Sequence, residues 1–462
     1  MAAINGTSPA ISVYAELLPH IRRLSLAVSL PSAADSTTDV TLLHDATGPR
    51  LRVRHAGAQV LASLPARAVV PGGGGAVRLP LVLGRTEASW RVAVAADGGA
   101  DHGGQAGAAA VPWESGEVAA SGGVMRCRSC GHEIVVAAGP GEDASSGSGE
   151  GRKGVSEWLD LPSENWAEMM EFWHCHKPGD HDHGGHGHDG QEARLASSRG
   201  YGANSAIAAR RGVGLVDVMT VLLAEEDCEG LTFSWTDFQS GSGTVASLED
   251  AGPAVSAAPP SVRKILNVFC SACESRLGYF DFRTAAVTLF KWQILLSAAD
   301  LTTSNGSPSS PHLRPPTISH FLAATIAAVL ARSGSSKTLL MPILDGPVPL
   351  TAGRNPRVMV PHVWLLNGNI RYTYASSEAA GKQLPEPDGA VPAVKVLWRM
   401  VSTDEAERML ESLTGEAQEV GLPQEAIDDV VRVLEASNAL LPRGERVFRG
   451  EWKVGLLERW ET

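Results

Sequence analysis

Two cysteine pairs with the same internal spacing constrain this chain more than any other feature: Cys127 and Cys130 in CRSCG, and Cys270 and Cys273 in CSACESRLG. Two intervening residues let both thiolates of a pair face one ion, while amides of the turn donate to the sulfurs. Two such knuckles complete a tetrahedral all-thiolate set, the usual arrangement around a structural Zn2+ ion. The alternative is four separate thiols that never meet. A redox role is disfavoured, because neither pair lies between a strand and a helix in a thioredoxin-like setting. His132 and His174 stand as reserve ligands. A site of four thiolates leaves no open position for water, so its role is structural rather than hydrolytic.

The interval between the knuckles is long, so the chain between them must leave and return to the same place. Six cysteines in 462 residues are too few for a disulfide framework. The net charge of −12 argues against an extended nucleic-acid surface, which needs clustered Lys and Arg, so direct nucleic-acid binding is not expected. The longest apolar helical run, FLAATIAAVLA from Phe321, is about half of the roughly 20 residues a membrane span needs. The first residues carry no basic segment followed by an apolar run. The expectation is a soluble intracellular protein without a membrane partner.

Short alternating or β-branched runs fill the first part of the chain: ISVYAELL, RRLSLAVSL, DVTLLHD, RLRVRHAG and ASWRVAVAA. Even spacing of such runs favours a sandwich or barrel over alternating βα units. Further on, ILNVFC, AAVTLFKWQILL, KTLLMPIL and AVKVLWRMV read as strands. HFLAATIAAVLARSG reads as a helix ending at a glycine cap. Asn367-Gly368 between two apolar runs predicts a tight hairpin. Ser402 or Thr403 can cap a helix with Ala406, Met409, Leu410 and Leu413 on one face, and Pro423 opens a second helix. Several Gly/Ser/His-rich inserts cannot bury enough apolar surface to fold on their own. The class is α+β, with an N-terminal β-sandwich or barrel-like region joined through the four-cysteine site to a mixed α/β C-terminal domain. The expected boundaries are 1–136 with the first knuckle, 137–262 as a linker-rich insertion, and 263–462 with the second knuckle.

The insertion holds the most unusual segment, VSEWLDLPSENWAEMMEFWHCHKP (residues 155–178). Trp158, Trp166 and Trp173 fall within sixteen positions, and Cys175 lies between His174 and His176. Ser163 can cap a short helix that brings Trp166, Met169, Met170 and Trp173 to helical spacing, and Pro178 bars its continuation. One reading makes these aromatics core. The other leaves His174, Cys175 and His176 exposed, with imidazolium neighbours favouring the thiolate. The diluted histidine run that follows reads as a solvated loop.

The segment WLDLPSENWAEMMEFWHCHKP, the two knuckles, HVWLLNGNIRYTYAS, AVKVLWRM and the ending SNALLPRGERVFRGEWKVGLLERW together resemble the HECT-like proteins that bind ubiquitin-conjugating enzymes. The animal members are named as ubiquitin-protein ligases. The resemblance runs in order along nearly the whole chain. It implies a ubiquitin-conjugating enzyme and ubiquitin as partners, with ubiquitin accepted as a thioester. It also implies association with the endonuclease subunit of the pre-mRNA cleavage and polyadenylation machinery, and residence in cytoplasm and nucleus. In the second picture Leu161, Pro162, Asn165, Trp166, Trp173, His174, Cys175 and His176 bind the nuclease, and the cysteine reaches its active-site metals. A HECT ligase needs a nucleophilic cysteine near its C-terminus, yet no cysteine follows Cys273. Cys175 is then the main candidate for a thioester acceptor, and Cys228 in LLAEEDCEGL is a poor one among carboxylates.

Overall fold

The computed structural model describes residues 10–45, 48–69, 75–95, 110–136, 154–161, 208–234, 265–297, 315–343, 358–377, 389–412 and 417–461. Strands dominate these residues, with few helices, as an α+β class requires. The chain divides into two compact units. One comprises residues 1–110, 318–343 and 354–462, and the other comprises 111–317 and 344–353. The cysteine site was expected to join the N-terminal β region to the C-terminal half. All four cysteines instead belong to the second unit, whose sequence is continuous around both knuckles.

The first unit is organised by one long strand, Met359–Ser376. On one edge it pairs along its length with Val391–Ser402, which in turn pairs with Trp452–Glu458. On the other edge its first part pairs with Lys337–Pro342 and its last part with Ser12–Leu18. Ser12–Leu18 continues through Arg23–Ser29 to Glu87–Ala93, so strands from both ends of the chain share a nine-stranded sheet. Over the N-terminal strands lies a four-stranded sheet of Ala58–Ser63, Gly48–His55, Asp39–Asp45 and Ala76–Arg78. Val13, Ala15, Leu24, Leu26 and Val28 meet Val40, Leu42, Leu51, Val53 and Val60 in a dry core. The alternating pattern predicts a sandwich or barrel, and in these strands every second residue is turned into the shared core.

Asn367-Gly368 does not make a hairpin turn. Both residues lie inside the long strand, where the register with Val391–Ser402 shifts on either side of Asn367. The Asn367 side chain accepts a hydrogen bond from the Asn369 amide at 3.0 Å, a local turn that absorbs extra residues as a bulge. The apolar runs before and after it therefore stay in one strand against the same partner.

The helix Ile318–Ser333 ends at Gly334, whose φ of +69° is the left-handed conformation a C-terminal cap uses. The helix Thr403–Leu410 starts at Ser402, whose side chain accepts from the Glu405 amide. The helix Gln424–Leu440 follows Pro423 and lies on Trp452–Glu458. It approaches closely at Gly455, where an added Cβ would stand 2.6 Å from Leu434. Among the described residues no helix is long and apolar enough to cross a membrane.

The second unit holds a seven-stranded sheet and a three-stranded sheet. The larger runs from Glu157–Asp160 through Val213–Val216, Thr220–Leu223, Ala286–Phe290, Arg276–Asp281 and Ile265–Cys270 to Leu231–Ser234. The smaller is Ile294–Ser297, Val124–Cys127 and Glu133–Val135. One knuckle grows from each sheet.

Candidate metal centre

Each cysteine pair sits on the turn of a β-hairpin, and the two turns have the same hydrogen-bond plan. The Cys127 amide donates to the His132 carbonyl at 2.7 Å, and the Gly131 amide donates to the Cys127 carbonyl at 2.8 Å. In the second knuckle the Cys270 amide donates to Ser275 at 2.9 Å, and the Glu274 amide donates to Cys270 at 2.8 Å. The residue after the second cysteine has positive φ in both, +76° at Gly131 and +59° at Glu274. Glycine takes that conformation freely, while glutamate takes it at a cost. The sequence flagged Gly131 but gave no sign that Glu274 does the same work.

The four sulfurs lie within 4.8 Å of one another. Cys127 Sγ is 3.6 Å from Cys273 Sγ, and Cys130 Sγ is 3.6 Å from Cys270 Sγ. A tetrahedral ion with Zn–S bonds of about 2.3 Å sets sulfurs about 3.8 Å apart, so the set could hold one metal ion. Cys127 and Cys270 are buried at the strand ends, while Cys130 is exposed. Burial pushes the Cys127 thiol up to about 12, against amides of Cys130 and Ser129 that favour the thiolate. Burial raises Cys270 likewise, opposed by the amides of Ala272 and Cys273. Burial works against the thiolate at Cys273 too, but hydrogen bonds from the Ser275 hydroxyl and amide and from neighbouring thiols outweigh it, bringing Cys273 to about 6. Ser275 Oγ lies 3.3 Å from Cys273 Sγ. The amides and the serine form the outer shell that orients thiolate ligands.

Close backbone approach ties the second knuckle to its sheet. Gly278 faces Leu289 across the strands, and a Cβ there would stand 1.8 Å from the Thr288 carbonyl oxygen. Lys291, at the end of the strand opposite, is fully buried and donates from Nζ to the carbonyls of Pro112 and Trp113 at 3.1 and 3.0 Å. Burial lowers its pKa to about 8, although Asp217, Asp160, Glu114 and Glu117 favour the charge.

The remaining cysteines differ. Cys228 is partly buried beside Val135, with its thiol 3.6 Å from the Ala224 carbonyl. Burial pushes that thiol well up, and Asp227, Glu225 and Glu226 add to the rise. Cys175 lies outside the described residues, as do Pro162, Asn165, Trp166, Trp173, His174 and His176. Leu161 is described. Its amide donates to the Val216 carbonyl at 2.7 Å, so the chain entering that segment is anchored to the seven-stranded sheet. Trp158, just before it, packs between two glycines, where a Cβ on Gly214 would stand 2.3 Å away and one on Gly123 2.6 Å away. Trp158 itself is partly buried.

The described residues are mostly strand, and two cysteine knuckles come together as a set of four sulfurs that could hold one metal ion. The sequence matches the family model described as HECT-like ubiquitin-conjugating enzyme (E2)-binding over residues 16–454, and the chain belongs to that family. No curated protein and no solved structure matches it.

Proposed function

We propose that this chain binds a ubiquitin-conjugating enzyme within the ubiquitin system, on a scaffold stapled by one structural Zn2+ ion at Cys127, Cys130, Cys270 and Cys273. The observation that carries this reading is the family match across nearly the whole chain. The thiolate donor set and its sulfur spacing suit zinc, which supplies stability rather than reactivity when bound by four cysteines.

Ubiquitin transfer in the manner of a HECT ligase has no thiol to use in the C-terminal region, because no cysteine follows Cys273. Four cysteines are committed to the knuckles. Cys228 is disfavoured as a thiolate by burial and three carboxylates. Cys175 is what remains. We read it as a ligand donated to a partner's metal site, in this case the endonuclease subunit of the pre-mRNA 3′-end machinery. A thiolate in the open coordination position displaces the nucleophilic water and silences hydrolysis. Trp166 and Trp173 supply the aromatic anchors typical of interface hot spots, and the ladder bond at Leu161 fixes where the segment starts.

The test is a pull-down of that endonuclease with the wild-type chain and with Cys175→Ala, each eluate assayed for cleavage. Cys175-dependent binding with suppressed cleavage supports the guard reading. Binding that survives the substitution, with cleavage still suppressed, removes Cys175 from that role. The second reading, Cys175 as the thioester acceptor of an active ligase, is favoured by the same count of cysteines and predicts a reducible ubiquitin adduct at that residue.

A further inference from the structure

One face of the nine-stranded sheet carries a cross-strand row in which Leu339 faces His362 and His362 faces Arg399. Trp452 comes next, with the Arg399 guanidinium 5.1 Å from its ring centre. In the adjoining row Lys337 faces Trp364, with Nζ 5.6 Å from the ring centre. Trp364 and Trp452 meet edge to face at 5.7 Å, and the His362 ring lies 5.0 Å from Trp452. Two cations and two tryptophans thus surround one histidine.

His362 is only 3 % exposed, and neither ring nitrogen has a hydrogen-bond partner among the described residues. Arg399 Nε beside it is also buried without one. The His362 ring and the Arg399 Nε therefore form a buried polar patch beneath the more exposed ends of Arg399 and Lys337. Burial lowers the His362 pKa to about 4, and the Arg399 and Lys337 charges add to the fall. The ring is therefore neutral, with one N–H to donate, in a local field that favours an anion.

The chain's own acids indicate which anion. Arg399 already holds Glu405 at 3.0 Å and, more loosely, Glu451 at 3.6 Å. The Glu451 side chain is 71 % exposed, and such a pair exchanges at little cost. A doubly charged phosphate would be repelled by both glutamates, whereas a single carboxylate can replace Glu451. The tryptophan faces suit an apolar or prolyl neighbour of that acid.

We propose that His362, Arg399, Lys337, Trp364 and Trp452 form a recognition site for an acidic side chain in a partner protein's peptide segment. The carboxylate pairs with Arg399 and Lys337 and places its charge close to the buried His362 ring, while the tryptophans cover the residue beside it. The site stands apart from the Cys175 reading and does not rest on it.

The experiment selects a phage-displayed library of 12-residue peptides against the full chain, then measures the enriched peptide and its Glu→Gln or Asp→Asn counterpart by fluorescence anisotropy. The enriched peptides should share an acid next to an apolar residue or proline. Removing the acid, or substituting Arg399→Gln or Lys337→Gln, should weaken binding at least tenfold. Lys337→Gln removes only a partly exposed side chain and so covers the case in which Arg399→Gln fails to fold, which circular dichroism would reveal. Peptide binding should also raise the ring pKa of His362 above about 4, read by 15N NMR of labelled histidine. Enriched peptides that lack a shared acid, affinities indifferent to Lys337→Gln, or an unmoved His362 pKa would overturn the proposal.

Discussion

Cys127 Sγ and Cys273 Sγ stand 3.6 Å apart although 146 positions of sequence separate them. The long interval that looks unsuited to a zinc knuckle pair is tolerable because closure entropy grows only slowly with loop length, by about 0.6 kcal/mol per doubling. The returning chain also brings its own sheet, so the site ties two sheets of one unit together.

Metal content is the first consequence. The purified chain should carry one zinc per molecule, and Cys130→Ser or Cys273→Ser should reduce that to none with loss of cooperative unfolding. Because Cys127 at about 12 and the raised Cys270 are thiols at neutral pH in the metal-free chain, zinc binding should release about two protons or more. Calorimetry in buffers of different ionisation enthalpy measures that number. Affinity should fall with acidification, since protons compete with the ion for sulfur.

Lys291 gives a stability slope of defined sign. Its folded pKa of about 8 lies below the ordinary lysine value of 10.5, so between those pH values the unfolded chain binds more protons. Stability therefore rises with pH across that window, by at most about 1.4 kcal/mol per unit from this group. Lys291→Met should abolish that component of the slope, and should lower stability by roughly 1–3 kcal/mol by stranding the Pro112 and Trp113 carbonyls. Urea unfolding at pH 7 through 10 separates the two effects.

Gly278→Ala should be far more damaging than a surface glycine change. The new Cβ would meet the backbone oxygen of Thr288, which cannot rotate away. A loss of about 3 kcal/mol or more is expected from overpacking, accompanied by weaker zinc retention. Gly57→Ala is the control. It has open space around it, so only the strain of its positive φ is felt.

Thiol reactivity checks the cysteine accounting. In the zinc-loaded native chain, iodoacetamide should modify Cys175 at least tenfold faster than Cys228, because the thiolate is the reacting species. Peptide mapping by mass spectrometry reads both rates, and full denaturation should equalise them.

The strands from Ser12 to Ala93, the helix capped by Gly334 and the helix capped by Ser402 were legible in the sequence because alternation, helical spacing and caps are local signals. The four-thiolate set was legible because equal Cys-x-x-Cys spacing is specific. What escaped was non-local. Nothing in ISVYAELL says that Tyr14 will face Tyr374 across a shared sheet, 360 positions away. The Asn367-Gly368 turn signal was local and was overridden, since two apolar runs gain more by pairing with one continuous partner. The row of His362, Arg399 and Trp452 escaped for the same reason. Its members come from three strands, and no motif marks them.

The central claim is that the chain binds a ubiquitin-conjugating enzyme without taking ubiquitin onto a thiol of its own. A conjugating enzyme charged with ubiquitin, mixed with wild-type chain in a single turnover and resolved by size exclusion and a non-reducing gel, tests it directly. The predicted result is co-elution of chain and enzyme with no reducible ubiquitin adduct on the chain. An adduct that disappears with reducing agent and with Cys175→Ala would contradict it and make the chain a ligase.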